Sequence, residues 1–132
     1  MITSGAFNYI NILDKAADAS WLRESAITNN LANVDTPGYK RQEVDFEGLL
    51  ERELRKSKYI TLDEKVKDLQ GVHLNHLNAT TYTDSANYSY RLDRNNVDID
   101  TEEVELASEQ IRYSALTDSI DQEFSRLKSV MG

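Results

Sequence analysis

Asn29-Asn30-Leu31-Ala32-Asn33-Val34-Asp35-Thr36-Pro37-Gly38-Tyr39 is the stretch on which the fold turns, and it holds the only proline of the 132-residue chain. The residue before a proline is kept out of the helical region, so a helix entering this stretch stops by Thr36. Proline second and glycine third in Thr36-Pro37-Gly38-Tyr39 are the residues a type II turn selects. Upstream, no proline or glycine interrupts residues 6–33. Ala6, Ile10, Leu13, Ala17, Ser20, Glu24, Ile27, Leu31 and Val34 repeat at 4,3 spacing, and seven of these nine are apolar. This predicts one long amphipathic helix with a narrow seam, weak and loosely paired around Ser20 and Glu24. Asn29, Asn30 and Asn33 crowd its last turns. An Asn amide both donates and accepts, so these side chains can satisfy the helix end or bridge to a neighbouring helix.

A second long helix is predicted from Asp100 onward. Asp100 followed by Glu103 has the spacing of a capping box. Glu102, Glu103 and Glu105 sit where a helix dipole favours anions, and Lys128 sits where it favours a cation. The 4,3 series from Leu106 runs through Gln110, Tyr113, Thr117, Ile120, Phe124, Leu127 and Met131. As a helix, residues 101–131 span ~46 Å, and the N-terminal helix ~42 Å, at ~1.5 Å per residue. A compact globule of this chain length is only ~36 Å across. The expected fold is therefore mainly α and elongated. Long N- and C-terminal helices pair as a coiled coil, around an irregular middle segment.

The expected organisation is an N-terminal coiled-coil helix over 1–36, a projecting middle over 37–97, and a C-terminal coiled-coil helix over 98–132. Within the middle, Phe46, Leu49, Leu50 and Leu54 predict a short helix over about 45–57, with Gly48 against it. Tyr59-Ile60-Thr61-Leu62 and the Thr- and Tyr-rich run 80–92 suggest short strands among loops. Lys40 and Arg41 read as a polar exit from the turn.

Composition narrows the function. The net charge is −8, and residues 98–132 carry most of it, with nine acids and three bases. Nucleic acid is excluded as a partner on that balance. No aliphatic run approaches the ~20 residues needed to span a bilayer, so no direct membrane insertion is expected. Residues 1–12 lack lysine, arginine and a continuous apolar core, and so do not read as a cleaved signal peptide. The chain has no cysteine, which removes disulfides, thiol catalysis and Cys-ligated metals. His73 and His76 are three apart, without a third ligand arranged around them. Asp93-x-Asn95 departs from a calcium loop, because the sixth position is Asp98 rather than glycine. No nucleophile elbow or phosphate loop is present. No enzyme activity, cofactor or metal site is expected.

Two long helices pairing alone leave much of each apolar stripe uncovered, so copies or partners must cover the rest. The interface residues so predicted are Ile10, Leu13, Ile27 and Leu31 on the first helix and Tyr113, Ile120, Phe124 and Leu127 on the second. Asn30 and Asn33 join them at the helix end, and Thr36, Pro37, Gly38 and Tyr39 set the turn. A coiled-coil adaptor or export chaperone forming a small closed oligomer shares these features. A metal-dependent enzyme built on His73 and His76 is a third and weaker reading.

The motifs themselves carry a resemblance. Asn30-Leu31-Ala32-Asn33 with Thr36-Pro37-Gly38-Tyr39 resembles the N-terminal motif of bacterial flagellar rod and hook proteins. Asn95-Asn96-Val97-Asp98-Ile99-Asp100, then Leu106-Ala107 and Arg112-Tyr113-x-Ala115-Leu116, resembles the proximal-rod family within that group. The resemblance implies a self-assembling structural subunit of the flagellar basal-body rod, in the periplasmic space. It implies signal-less export from the cytoplasm through the flagellar type III apparatus. It also implies terminal helices that are loosely ordered in the free subunit and order on assembly. The implied partners are copies of the chain, other flagellar rod proteins, the rod-base adaptor protein and the export apparatus.

Overall fold

A computed structural model describes residues 2–70, 72–83 and 94–131. Two long helices dominate it: α1 (Ile2–Ala32) and α5 (Ile99–Met131). They run antiparallel, since Ser20 meets Glu109 while Phe7 shares a groove with Phe124 and Met131. Between them come β1 (Gln42–Asp45), α2 (Glu47–Arg55), α3 (Leu62–Asp68), α4 (Val72–Asn75) and β2 (Thr80–Thr83). The mainly α, two-helix architecture with an irregular middle is as the sequence predicts.

α1 ends where the motif requires. Its last turns tighten through Asn33 N–H bonds to the Asn29 and Asn30 carbonyls, and a Val34 N–H bond to the Leu31 carbonyl. The following turn closes with the Tyr39 N–H on the Thr36 carbonyl at 3.2 Å, and Gly38 takes φ +74°. A left-handed third residue after proline is the type II geometry, and glycine adopts it without steric cost.

The middle segment differs from expectation in three places. Tyr59–Leu62 forms no strand. Thr61 instead caps α3, its Oγ1 accepting from the Glu64 N–H at 3.3 Å. Thr61-x-x-Glu64 is a helix-start signature, and it overrides the β-branched run before it. The second difference is β1, which pairs antiparallel with β2 from Gln42↔Thr83 to Asp45↔Thr80. Its sequence, Gln-Glu-Val-Asp, has one apolar residue and no readable alternation. β2 confirms the first part of the Thr-rich expectation, while residues 84–92 lie outside the described residues. Third, Gly48 sits in the first turn of α2, where the Asp45 carboxylate folds back to accept its N–H at 3.2 Å. A Cβ there would lie 2.8 Å from Asp45 Oδ1, so glycine belongs at this helix start.

α1 buries two adjacent faces. Ile12, Ala16 and Ala19 pack on a core of Phe46, Leu69 and Leu77, which anchors the middle segment along α1. Ala17, Ser20 and Ile27 are also buried, and Ser20 meets α5. The capping box is displaced: Asp98, not Asp100, caps α5. Its Oδ1 accepts the Asp100 N–H at 3.1 Å, and its carbonyl takes the first helical bond from Glu102.

Candidate functional site

The two motif strings fold onto each other. Asn30 is fully buried. Its Nδ2 donates to the Gln42 carbonyl at 2.9 Å, and its Oδ1 accepts the Gln42 N–H at 2.8 Å. One amide side chain thus replaces a strand neighbour on the inner edge of β1, pairing both backbone groups of Gln42. The same Oδ1 accepts from the Tyr39 hydroxyl at 2.9 Å, and Nδ2 reaches Glu102 Oε2 on α5 at 3.3 Å. Asn29 in turn donates to the Tyr39 oxygen at 3.0 Å.

Asn95 completes the clasp from the other side. It too is fully buried. Its Nδ2 faces the carbonyls of Asn33, Val34 and Thr36 at 2.9, 3.0 and 2.9 Å. Its Oδ1 accepts the Val97 N–H at 2.8 Å. The carbonyls left by the unwinding of α1 are therefore capped by a side chain some sixty residues away in the chain. Asn96 Oδ1 accepts the Arg41 N–H at 2.7 Å, and Lys40 donates to the Arg94 carbonyl at 2.7 Å.

Charge runs up the helix pair from the clasp. Glu102 is 1% and Glu109 4% exposed, one heptad apart on the inner face of α5. Arg41 Nε meets Glu102 at 2.7 Å, and the same guanidinium bonds Glu43 and reaches Glu105 at 3.3 Å. Arg23 holds Glu109 at 3.2 Å, Glu47 at 2.7 Å and the Val44 carbonyl at 3.1 Å. Ser20 donates to Glu109 at 2.9 Å, so the polar centre of the seam is specific rather than loose. Burial opposes the charge on both arginines, but their hydrogen bonds to glutamate outweigh it and raise their pKa values. Burial likewise opposes ionised Glu47, and the Arg23 bond wins, lowering its pKa. Glu105 shifts up, through burial and then the charges of Glu102, Glu43 and Glu109, against a partial offset from Arg41. Tyr82 donates to Glu43 at 2.5 Å, and its pKa is pushed up to about 12.

The outer faces of the pair are mostly polar but carry exposed apolar residues. Phe7, Phe124, Leu127 and Met131 line a groove at the far end from the clasp, with Lys128 at its rim. Phe124 is 50% exposed. Trp21, Val104, Ile111 and Val130 also face outward.

Residues 22–40 match the model of a family described as flagella basal body rod protein. That span is the α1 side of the clasp, from Arg23 through Asn30 to Tyr39. A flagellar basal body rod protein FlgB of Bacillus subtilis (strain 168) is 36% identical over 122 residues, covering 92% of this chain and 92% of the relative. The chain belongs to the FlgB family of flagellar basal body rod proteins. Another FlgB, from Borrelia hermsii, is 35% identical over 82% of this chain and 84% of its own length. The Escherichia coli (strain K12) FlgB is 27% identical over 83% of this chain and 82% of its own length.

In this member of the FlgB family, the residues singled out by sequence separate into two groups. Asn30 and the Thr36–Tyr39 turn lie in the clasp, with Asn33 lending its carbonyl to Asn95 and its Nδ2 to the Asn29 carbonyl at 2.8 Å. Ile10, Ile27 and Leu127 are buried, and Leu13, Leu31, Tyr113 and Ile120 half-buried. Phe124 faces outward. The seam of α5 passes through Glu109, not Gln110, which is exposed. Sequence reasoning missed the two inward glutamates and their arginines, because it took the apolar residues as the seam. The signal was there: Glu102 and Glu109 are a heptad apart, and Glu109 keeps step with Tyr113, Ile120 and Leu127. Among the described residues no group of three His, Cys, Asp or Glu could hold a metal ion, and no helix is long and apolar enough to cross a membrane.

Proposed function

We propose that this chain is a structural subunit of the flagellar basal body rod, in its proximal segment. Membership of the FlgB family supports the role. One observation carries the mode of assembly: polar groups staple the two terminal helices together at one end, while both helices keep apolar residues outside. Burial of that surface by neighbours provides the driving force for stacking. The subunit leaves the cytoplasm through the flagellar export apparatus without a cleaved signal and assembles in the periplasmic space. The terminal helices form a coiled-coil layer with copies of the chain, other rod proteins and the rod-base adaptor protein. Long helices draw most of their stability from packing, so their ordering is completed on joining the rod.

Electron microscopy of basal bodies from cells lacking this chain tests the role. Rings without a rod, restored by the intact gene, are expected; complete rods and normal swimming would overturn it. Phe124→Asp tests the surface. Because Phe124 is half-exposed, this variant stays folded, with a loss of about 1 kcal/mol in thermal stability, yet is absent from purified basal bodies. Sedimentation that stops at a fixed small oligomer would favour the adaptor reading.

A further inference from the structure

The most exposed large apolar side chain in the described residues lies at the turn between α2 and α3. Ile60 is 92% exposed, and Tyr59 and Leu62 beside it are also outside. Single exposed apolar residues are ordinary; three together at a loop tip mark a contact surface. Arg52, Arg55 and Lys56 before it pair with Asp45, Glu51 and Glu53, and the cation at the tip itself is Lys58, whose Nζ stands 5.5 Å from the centre of the Tyr59 ring.

The complementary surface is on α5 of the same sequence. Asp100, Val104, Ile111 and Asp118 fall on one line of the helix, spaced four, seven and seven residues apart. All four are exposed, and Ile111 is 72% so. Ala107, Ser114 and Ala115 flank Ile111 in a shallow trough and leave room for a side chain to enter. The strip is thus apolar in the centre and acidic at each end. Lys58 beside Ile60 carries the charge opposite to that of Asp118 beside Ile111.

We infer that the α2–α3 tip of one copy docks on the outer strip of α5 of a second copy, Ile60 entering beside Ile111 with Lys58 against Asp118. This rests on the reading of the chain as a rod subunit. The contact cannot close within one chain. Tyr9 bonds Asp63, and Asn11 bonds Gln70 at 3.0 Å, which holds α3 and the tip near the N-terminal end of α1. That end is level with Phe124 of α5, thirteen residues and ~20 Å along the axis from Ile111. For two copies running parallel, the contact staggers them by about that rise. The tip and the strip are different patches, so the contact is heterologous, and a staggered heterologous contact propagates as an open helix instead of closing a dimer.

The absence of cysteine makes the test direct. Cells expressing an Ile60→Cys chain together with a separately tagged Ile111→Cys chain supply basal bodies, which are oxidised and resolved by size. The expected product is a mixed disulfide dimer at least fivefold above either homodimer. Lys58→Glu in the first chain lowers it by about the same factor, and Asp118→Lys in the second restores it. Homodimers alone, no cross-link with both chains present, or a disulfide of the tip to another protein in place of the mixed dimer would overturn the inference. In those cases the chains are still in basal bodies, and the rod reading stands. Chains missing from basal bodies, with the wild type also missing, would sink the rod reading and the inference with it.

Discussion

The two ends of the helix pair are built on opposite terms. At the clasp, Asn30, Asn95, Arg41 and Glu102 are buried and joined by hydrogen bonds to defined partners. At the other end Phe7, Phe124 and Met131 line an open apolar groove. Hydrogen bonds and buried charge fix register; apolar contact supplies energy but tolerates sliding. The molecule therefore specifies its own shape at one end and leaves an open apolar groove at the other.

Asn95→Ala attacks that contrast most strongly. It removes the group that faces three carbonyls and the Val97 N–H. Leaving buried groups unsatisfied costs about 3 kcal/mol in all. Urea denaturation should show the loss as a lower midpoint. A loss below about 1 kcal/mol would mean that water replaces Asn95 without penalty. Next comes the charge pair. Glu109→Leu removes the carboxylate shared by Arg23, Ser20 and Arg112, leaving Arg23 with Glu47 and the Val44 carbonyl, and costs about 2 kcal/mol, a loss that is smaller when Arg23 is already Met. A double-mutant cycle reads the coupling. Additive losses would show that the two side chains act independently.

These residues also mark how far sequence carries. The turn was fully legible: proline and glycine have local conformational preferences that no distant contact needs to supply, and Gly38 takes the φ they predict. The helices were legible from length and periodicity, and the two motif strings stood out as unusual. That the strings bind each other was not legible, because Asn30 and Asn95 are joined only by the tertiary fold. Apolar periodicity passes over Glu102 and Glu109 on the inner face of α5, since it has no means of seeing a glutamate neutralised by an arginine elsewhere. β1 was invisible for a related reason. Its inner edge is satisfied by Asn30 and Arg23 side chains, so its own sequence needs no strand pattern.

The smallest effects lie on the rim of the clasp, where two glutamates should respond to pH in opposite directions. Glu47 has a lowered pKa, so its ion pairs stabilise the fold above the ordinary carboxylate range and are lost as pH falls through the lowered value. Glu47→Gln should therefore weaken the protein at neutral pH and make no difference in strong acid. Glu105 has a raised pKa: the folded chain holds its proton more tightly than the unfolded chain. Its ionisation then costs stability as pH rises from the unfolded carboxylate range through the raised value. Glu105→Gln removes that cost and loses only a contact to Arg41 at 3.3 Å. Its side chain is 46% exposed, so solvent screening holds the gain to a few tenths of a kcal/mol. Urea midpoints measured from neutral pH into acid should thus rise for Glu105→Gln and fall for Glu47→Gln at the neutral end, and converge on the parent in acid. Parallel shifts of the same sign would mean that the rim acts as one diffuse acidic surface, and that the specific pairing ends at Glu102 and Glu109.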